Sequence, residues 1–131
     1  MTKQNNKSIL IVDDDMIAIS ALKNIIGSTY TIYAVKNGKE AVEKAKKLSP
    51  DLILLDVCMP NMDGYETIAR LKNSEVTKSI PVIFVSSYTE GDDIKNGITN
   101  GAVDYITKPF SHDSVIEKIE DAIRSKQLIA S

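Results

Sequence analysis

Short unbroken apolar runs alternate along this chain with stretches whose apolar positions recur every third or fourth residue. Ser8-Ile9-Leu10-Ile11-Val12 and Leu52-Ile53-Leu54-Leu55, the latter set between Pro50 and Pro60, consist almost wholly of branched side chains. Continuous runs of that length between breakers predict strands buried on both faces. Residues 30–35, 80–85 and 102–107 are rich in β-formers and predict three more strands. After the first run, Met16, Ile19, Leu22, Ile25 and Ile26 fall at near-helical spacing; only Lys23 breaks the stripe, and Gly27 ends it. Asn37-Gly38-Lys39-Glu40 has the form of a capping box, and Ala41, Val42, Ala45 and Leu48 line one face of the helix it would open. Residues 65–71 predict a helix with Ile68, Ala69 and Leu71 inward. Residues 90–100 are weakly helical, since Gly91 and Gly97 oppose the helix and only Ile94 and Ile98 would anchor it. A last helix, capped by Ser111, would bury Val115, Ile116, Ile119, Ala122 and Ile123.

Strands and helices therefore alternate five times with short connections, which predicts an α/β fold: a parallel sheet, doubly wound, with helices on both faces. A length of 131 residues suits one domain, expected to span 1–131 with its core over about 8–126. A net charge of −2 without a Lys/Arg block argues against a nucleic-acid footprint. No apolar run approaches the roughly 20 residues a bilayer requires. The polar start, Met1 to Lys7, lacks the apolar core of a signal peptide, and Cys58 is the only cysteine, so the chain reads as cytoplasmic.

Composition leaves function open; the strand ends do not. The predicted strands run into Asp13 and Asp14, Asp56, Ser86 and Lys108. In a parallel sheet all of these gather at one edge, where ligands collect. Two unit charges about 4 Å apart repel by roughly 4 kcal/mol at an effective dielectric near 20. Three carboxylates make three such pairs, and one lysine does not offset them all. Either one acid keeps its proton or a cation sits there. Oxygen ligands without a His or Cys cluster favour Mg²⁺ (or Mn²⁺) over zinc.

These motifs resemble the receiver domain of bacterial two-component response regulators, of the chemotaxis-regulator type. The matching pieces are Ile11-Val12-Asp13-Asp14, Leu55-Asp56-Val57-Cys58-Met59-Pro60 with Met62-Asp63-Gly64, Ser86, and Tyr105-Ile106-Thr107-Lys108-Pro109-Phe110. The resemblance implies a flavodoxin-like sheet in the order 2-1-3-4-5 and a phosphoryl acceptor cycle. Asp56 would be the nucleophile that takes a phosphoryl group from a histidine kinase or phosphotransfer protein. Asp14, Asp56 and the backbone carbonyl of Cys58 would hold Mg²⁺, with Asp13 acting through water. Lys108 and Ser86 would each bind a phosphoryl oxygen, and Tyr105 would turn inward as Ser86 moves. The resemblance also implies a cis Lys108-Pro109 bond. The weakly anchored helix at 90–100, beside Ser86, is the element a phosphoryl group would most easily bias. The output face is therefore expected to be the fourth helix, fifth strand and fifth helix, a face also open to a phosphorylation-dependent dimer. Output would pass to an effector protein or a fused domain, with no direct nucleic-acid or membrane contact.

Competing readings remain at this stage. A haloacid dehalogenase phosphatase would want a second Asp two residues after the nucleophile, where Cys58 stands. A flavodoxin electron carrier would want a hydroxyl-rich phosphate loop where Asp13-Asp14-Asp15 stands. A receiver-like adaptor that is never phosphorylated is disfavoured by the intact Asp14, Asp56, Ser86 and Lys108. Cys58 reads as a small loop residue rather than a catalytic thiol, with no His near it in sequence. His112 reads as a surface residue, Asp15 as a helix cap and Tyr105, taken alone, as strand packing. Cys58 and Tyr88, two residues after Asp56 and Ser86, would flank a phosphoryl group and tune its hydrolysis.

Overall fold

Successive side chains of a strand point to opposite faces, and this chain buries both. A computed structural model describes residues 7–87 and 96–130, with side chains through Lys126. The order is β1 (Ser8–Val12), α1 (Met16–Ile26), β2 (Thr31–Val35), α2 (Gly38–Leu48), β3 (Leu52–Leu55) and α3 (Gly64–Lys72). Then come β4 (Val82–Ser86), a helical turn at 96–99 (α4), β5 (Asp104–Thr107) and α5 (His112–Ala130). The five strands form one parallel sheet in the order β2-β1-β3-β4-β5, as the resemblance implied.

The two-residue period of the strands divides the core in two. Leu10, Val12, Ile53, Leu55, Val82 and Phe84 pack under α2 and α3 on one face. Ile9, Ile11, Leu52, Leu54, Ile83 and Val85 pack under α1 and α5 on the other. In the central strands the register is tight: Ile11 lies beside Leu54, and Leu54 beside Ile83. β2 is an edge strand, with Tyr33 and Ala34 exposed.

Local signals set the helix starts. The side chains of Asp15, Asn37 and Asp63 accept from the backbone N–H of Ile17, Glu40 and Glu66 at 2.9, 2.8 and 2.9 Å, and Ser111 Oγ accepts from Ser114 at 3.1 Å. These bonds satisfy amides that would otherwise lack intrahelical partners.

Four expectations are corrected. Met16 is 53% exposed rather than inward, because the first turn of α1 lies beyond the last residue of β1, where no sheet covers it. Ala69 is exposed, since α3 buries Gly64, Thr67, Ile68 and Leu71 and Ala69 is turned about 100° from Ile68. β4 begins at Val82 rather than Ile80, as Pro81 has no N–H to give the ladder. Ile98 is 44% exposed, and Gly97 is the buried residue of α4. Ile94, the other expected anchor, lies outside the described residues.

The end of α3 is closed by a buried side chain. Thr77 Oγ1 donates to the carbonyl of Leu71 at 2.6 Å, and Thr77 is fully buried. Thr77→Val keeps the shape and strands that helix-end carbonyl away from water. We expect a loss of about 1–3 kcal/mol in urea unfolding, largely restored by Thr77→Ser. Equal midpoints for the Val and Ser variants would show that the bond contributes nothing.

Candidate functional site

Parallel pairing carries the ladder one step past the strands. Asp56 N donates to Val12 O at 2.9 Å, Asp13 N to Val35 O at 3.2 Å, and Lys108 N to Ser86 O at 2.9 Å. The residues after the strands are therefore positioned by strand-like bonds. Asp13 is 2% exposed, Asp56 6% and Ser86 fully buried, whereas Asp14 is exposed. Carboxylate oxygens of Asp13, Asp14 and Asp56 all lie within 4.8 Å of one another.

Lys108, 21% exposed, is the cation among them. Its Nζ donates to Asp13 Oδ2 at 2.8 Å and stands 3.9 Å from Asp56 Oδ2. Asp13 also accepts from the N–H of Asp15 at 3.0 Å, while Asp56 accepts a long bond, 3.4 Å, from the N–H of Cys58. Asp13 thus takes the direct ion pair and Asp56 is left short of positive charge. Burial, reinforced by the charge of Asp13, pushes the Asp56 carboxyl up to about 6 against the opposing pull of Lys108 and the Cys58 amide. Burial draws the Lys108 ammonium down, but the bond to Asp13 and the charges of Asp56, Asp13 and Asp15 outweigh it and hold it above its ordinary value.

Two glycines in the surrounding packing escaped the sequence reading as site residues. A Cβ on Gly64 would collide with the carbonyl oxygen of Asp56 and stand 2.7 Å from Val57 Cα, so only glycine lets α3 start against the Asp56 loop. A Cβ on Gly97 would stand 2.9 Å from Phe84 Cδ2 and 3.1 Å from Tyr105 Cδ2. Tyr105 is 5% exposed, its ring 6.1 Å from that of Phe84. It is therefore already turned inward. Gly97 was present in the sequence as a helix-weakening residue and Gly64 as part of the loop motif after Asp56, but which backbone or ring each meets is a tertiary fact.

Comparison with known proteins decides the family. A model of the response regulator receiver domain matches residues 9–120, nearly the whole described sheet and its helices. The chain belongs to the response regulator receiver family. It is 38% identical over 118 residues to the chemotaxis protein CheY of Listeria monocytogenes, covering 88% of this chain and 98% of that protein. It is also 37% identical over 120 residues to a probable cyclic di-GMP phosphodiesterase of Vibrio cholerae; there the match covers 92% of this chain but only 27% of the relative. The receiver domain of sensor histidine kinase PA1611 from Pseudomonas aeruginosa superposes with a TM-score of 0.84 at 26% identity, over 91% of this chain and 98% of that one. That structure carries a magnesium ion in its active-site cleft.

Receiver domains are the phosphoacceptor signalling switches of two-component systems, and this chain is one of them. The phosphatase and flavodoxin readings fall with that assignment. Around the receiver site, Cys58 is exposed at the loop and His112 sits on the surface beside Asp113, as expected. The Lys108-Pro109 bond is cis. Tyr88 lies outside the described residues. Among the described residues no helix is long and apolar enough to cross a membrane.

The charge shortage at Asp56 has a pH signature. Its carboxyl titrates at about 6 when folded, against 3.8 as its ordinary value. Between those values the unfolded chain releases a proton that the folded chain retains, so stability falls as pH rises through this window. Below about 4 the two states match; above about 6 the cost levels off at roughly 3 kcal/mol. In EDTA, Asp56→Asn should therefore be more stable than wild type at pH 7.5, with the difference closing by pH 4. A gap that does not widen between those pH values would show that Asp56 ionises normally.

Proposed function

We propose that Asp56 is the phosphoryl acceptor of this receiver domain. The observation that supports this best is its setting: a buried carboxylate at the end of β3, beside Asp13, with the Lys108 ammonium 3.9 Å away. One Asp56 oxygen attacks the phosphorus of a phosphohistidine. The O–P bond forms as the N–P bond breaks, its electron pair stays with the imidazole, and an acyl phosphate results. Little other covalent chemistry is required, because phosphoryl transfer depends mainly on position and charge neutralisation. The domain thereby catalyses only its own phosphorylation and dephosphorylation.

Three clustered carboxylates with one lysine among them, and no nitrogen or sulfur ligand in the group, fit a hard divalent cation. Asp14, Asp56 and the Cys58 carbonyl would hold Mg²⁺ (or Mn²⁺), with Asp13 acting through water. Bound there, the ion supplies positive charge against the phosphoryl oxygens. Lys108 would bind one phosphoryl oxygen and Ser86 would donate its hydroxyl to another. Moving a switch from 1:99 to 99:1 takes about 5.5 kcal/mol. A charged hydrogen bond to Ser86 supplies only about 1.5–3 kcal/mol of that, so Lys108 has to supply much of the rest. Tyr105, already buried against Phe84 and Gly97, belongs to the conformer that phosphorylation would populate more fully.

The donor is a sensor histidine kinase or phosphotransfer protein in the cytoplasm. The output goes to an effector protein or a fused domain, in keeping with the small share of the V. cholerae relative that this chain spans. The output and dimer face is α4–β5–α5.

Incubation with Mg²⁺ and acetyl phosphate should add one phosphoryl mass to wild type and none to Asp56→Asn. Equal mass gain in both proteins would move the acceptor elsewhere. Gly97→Ala tests the switch packing. Helix propensity alone favours alanine there by about 1 kcal/mol. We expect the variant to be less stable than wild type nonetheless, with the ¹⁹F resonance of fluorotyrosine-labelled Tyr105 shifted toward a solvent-exposed position. A stabilised variant with an unmoved resonance would remove Gly97 from the switch.

A further inference from the structure

At the opposite edge of the sheet from the acids lies a cavity of about 540 Å³. It opens between the end of α3, the approach to β4, the start of β5 and the last half of α5. Pro81, Val103 and Ala122 give it apolar walls, and Ser79 and Ser125 add hydroxyls. Val103 is 53% exposed, an apolar side chain left open beside a concave surface.

The charges around it do not cancel. Lys118 Nζ is 3.0 Å from Asp104, and Asp121 is 3.1 Å from Arg124 Nη1, so both lining acids are engaged. Lys72 and Lys126 remain, and among the described residues neither has an acidic partner. Lys72 Nζ donates to the carbonyls of Ile80 at 2.9 Å and Lys78 at 3.2 Å, which anchors the ammonium at the cavity wall. Its third N–H is not committed to either carbonyl. Burial, and then the nearby charge of Lys126, holds Lys72 below its ordinary pKa, so the two ammonium groups feel one another. Two like charges held at one apolar cavity are relieved by an anion.

We propose that this cavity is a binding site for a small organic anion, a carboxylate on an apolar body. The carboxylate would lie between Lys72 and Lys126, and the body against Pro81, Val103 and Ala122. The volume suits such a ligand, since small-molecule sites run to about 300–1,000 Å³ with apolar walls and a few placed polar groups. The site is separate from the phosphoryl chemistry and does not depend on Asp56.

The test is a titration of the ¹⁵N-labelled protein with 2-naphthoate, with the neutral 2-naphthamide and inorganic phosphate as parallel arms. Saturable amide shifts are expected at Val103, Asp104, Ala122 and Ser125. Naphthoate should bind about tenfold more tightly than the amide, the ratio one charged hydrogen bond provides. Lys72→Gln removes an anchor for two carbonyls and so perturbs folding as well as charge. Lys126→Gln is therefore the decisive variant and should lose about the same tenfold. Lys46→Gln on α2, with the same change in net charge, should bind as wild type does. Phosphate binding as tightly as naphthoate would overturn the role of the apolar walls. Equal binding of naphthoate and naphthamide, or unchanged affinity in Lys126→Gln, would overturn the anion site. Shifts that follow protein concentration rather than ligand would assign the groove to a second copy of the chain and refute the proposal.

Discussion

One lysine shared between two buried carboxylates is the constraint on which the site depends. Lys108 reaches Asp13 at 2.8 Å and Asp56 only at 3.9 Å, and both acids are almost wholly out of water. Strand-like backbone bonds hold all three residues where they are, so the acids are not free to relax apart. The shortage of positive charge is therefore built into the sheet edge. It falls on Asp56, which stands farther from the lysine and carries the upward shift. That placement suits the proposed phosphoryl acceptor. An acid held above its usual range offers a more basic oxygen, and incoming positive charge meets an unmet demand rather than a satisfied ion pair.

The same sheet edge connects the acids to an aromatic stack. Ser86 ends β4, and its carbonyl accepts from Lys108 N, so the hydroxyl residue and the lysine share one backbone bond. Two residues earlier, Phe84 packs between Tyr65 and Tyr105, with ring centroids 5.5 and 6.1 Å away. Gly97 closes the far side of both rings with no side chain of its own. A displacement at Ser86 thus meets an aromatic stack held on one side by α3 and on the other by backbone. Close packing of that kind favours discrete arrangements over gradual ones.

The two edges of the sheet carry opposite charge imbalances. Acids exceed the available cation at the carboxyl ends of the strands, while Lys72 and Lys126 lack acidic partners at the amino ends among the described residues. A chain with 16 basic and 18 acidic residues is close to neutral overall, so net charge conceals both imbalances.

The strands, their parallel association and the residues at their ends were legible from sequence, because branched runs without polar breaks can be buried only in a sheet covered on both faces. Helix caps were legible for a similar reason: Asp15, Asn37 and Ser111 act on amides two or three residues away. Exposure at the ends of elements was not. Met16 satisfies the helical period and still faces solvent, since period says nothing of where the covering sheet stops. Nor was the division of labour among the acids. Three carboxylates and one lysine predict crowding, but only the fold pairs Lys108 with Asp13, 95 residues away at 2.8 Å, and leaves Asp56 short at 3.9 Å. Gly64, Gly97 and the inward Tyr105 belong to the same class. Each depends on what a neighbouring element presses against it, and that is decided only when the elements pack.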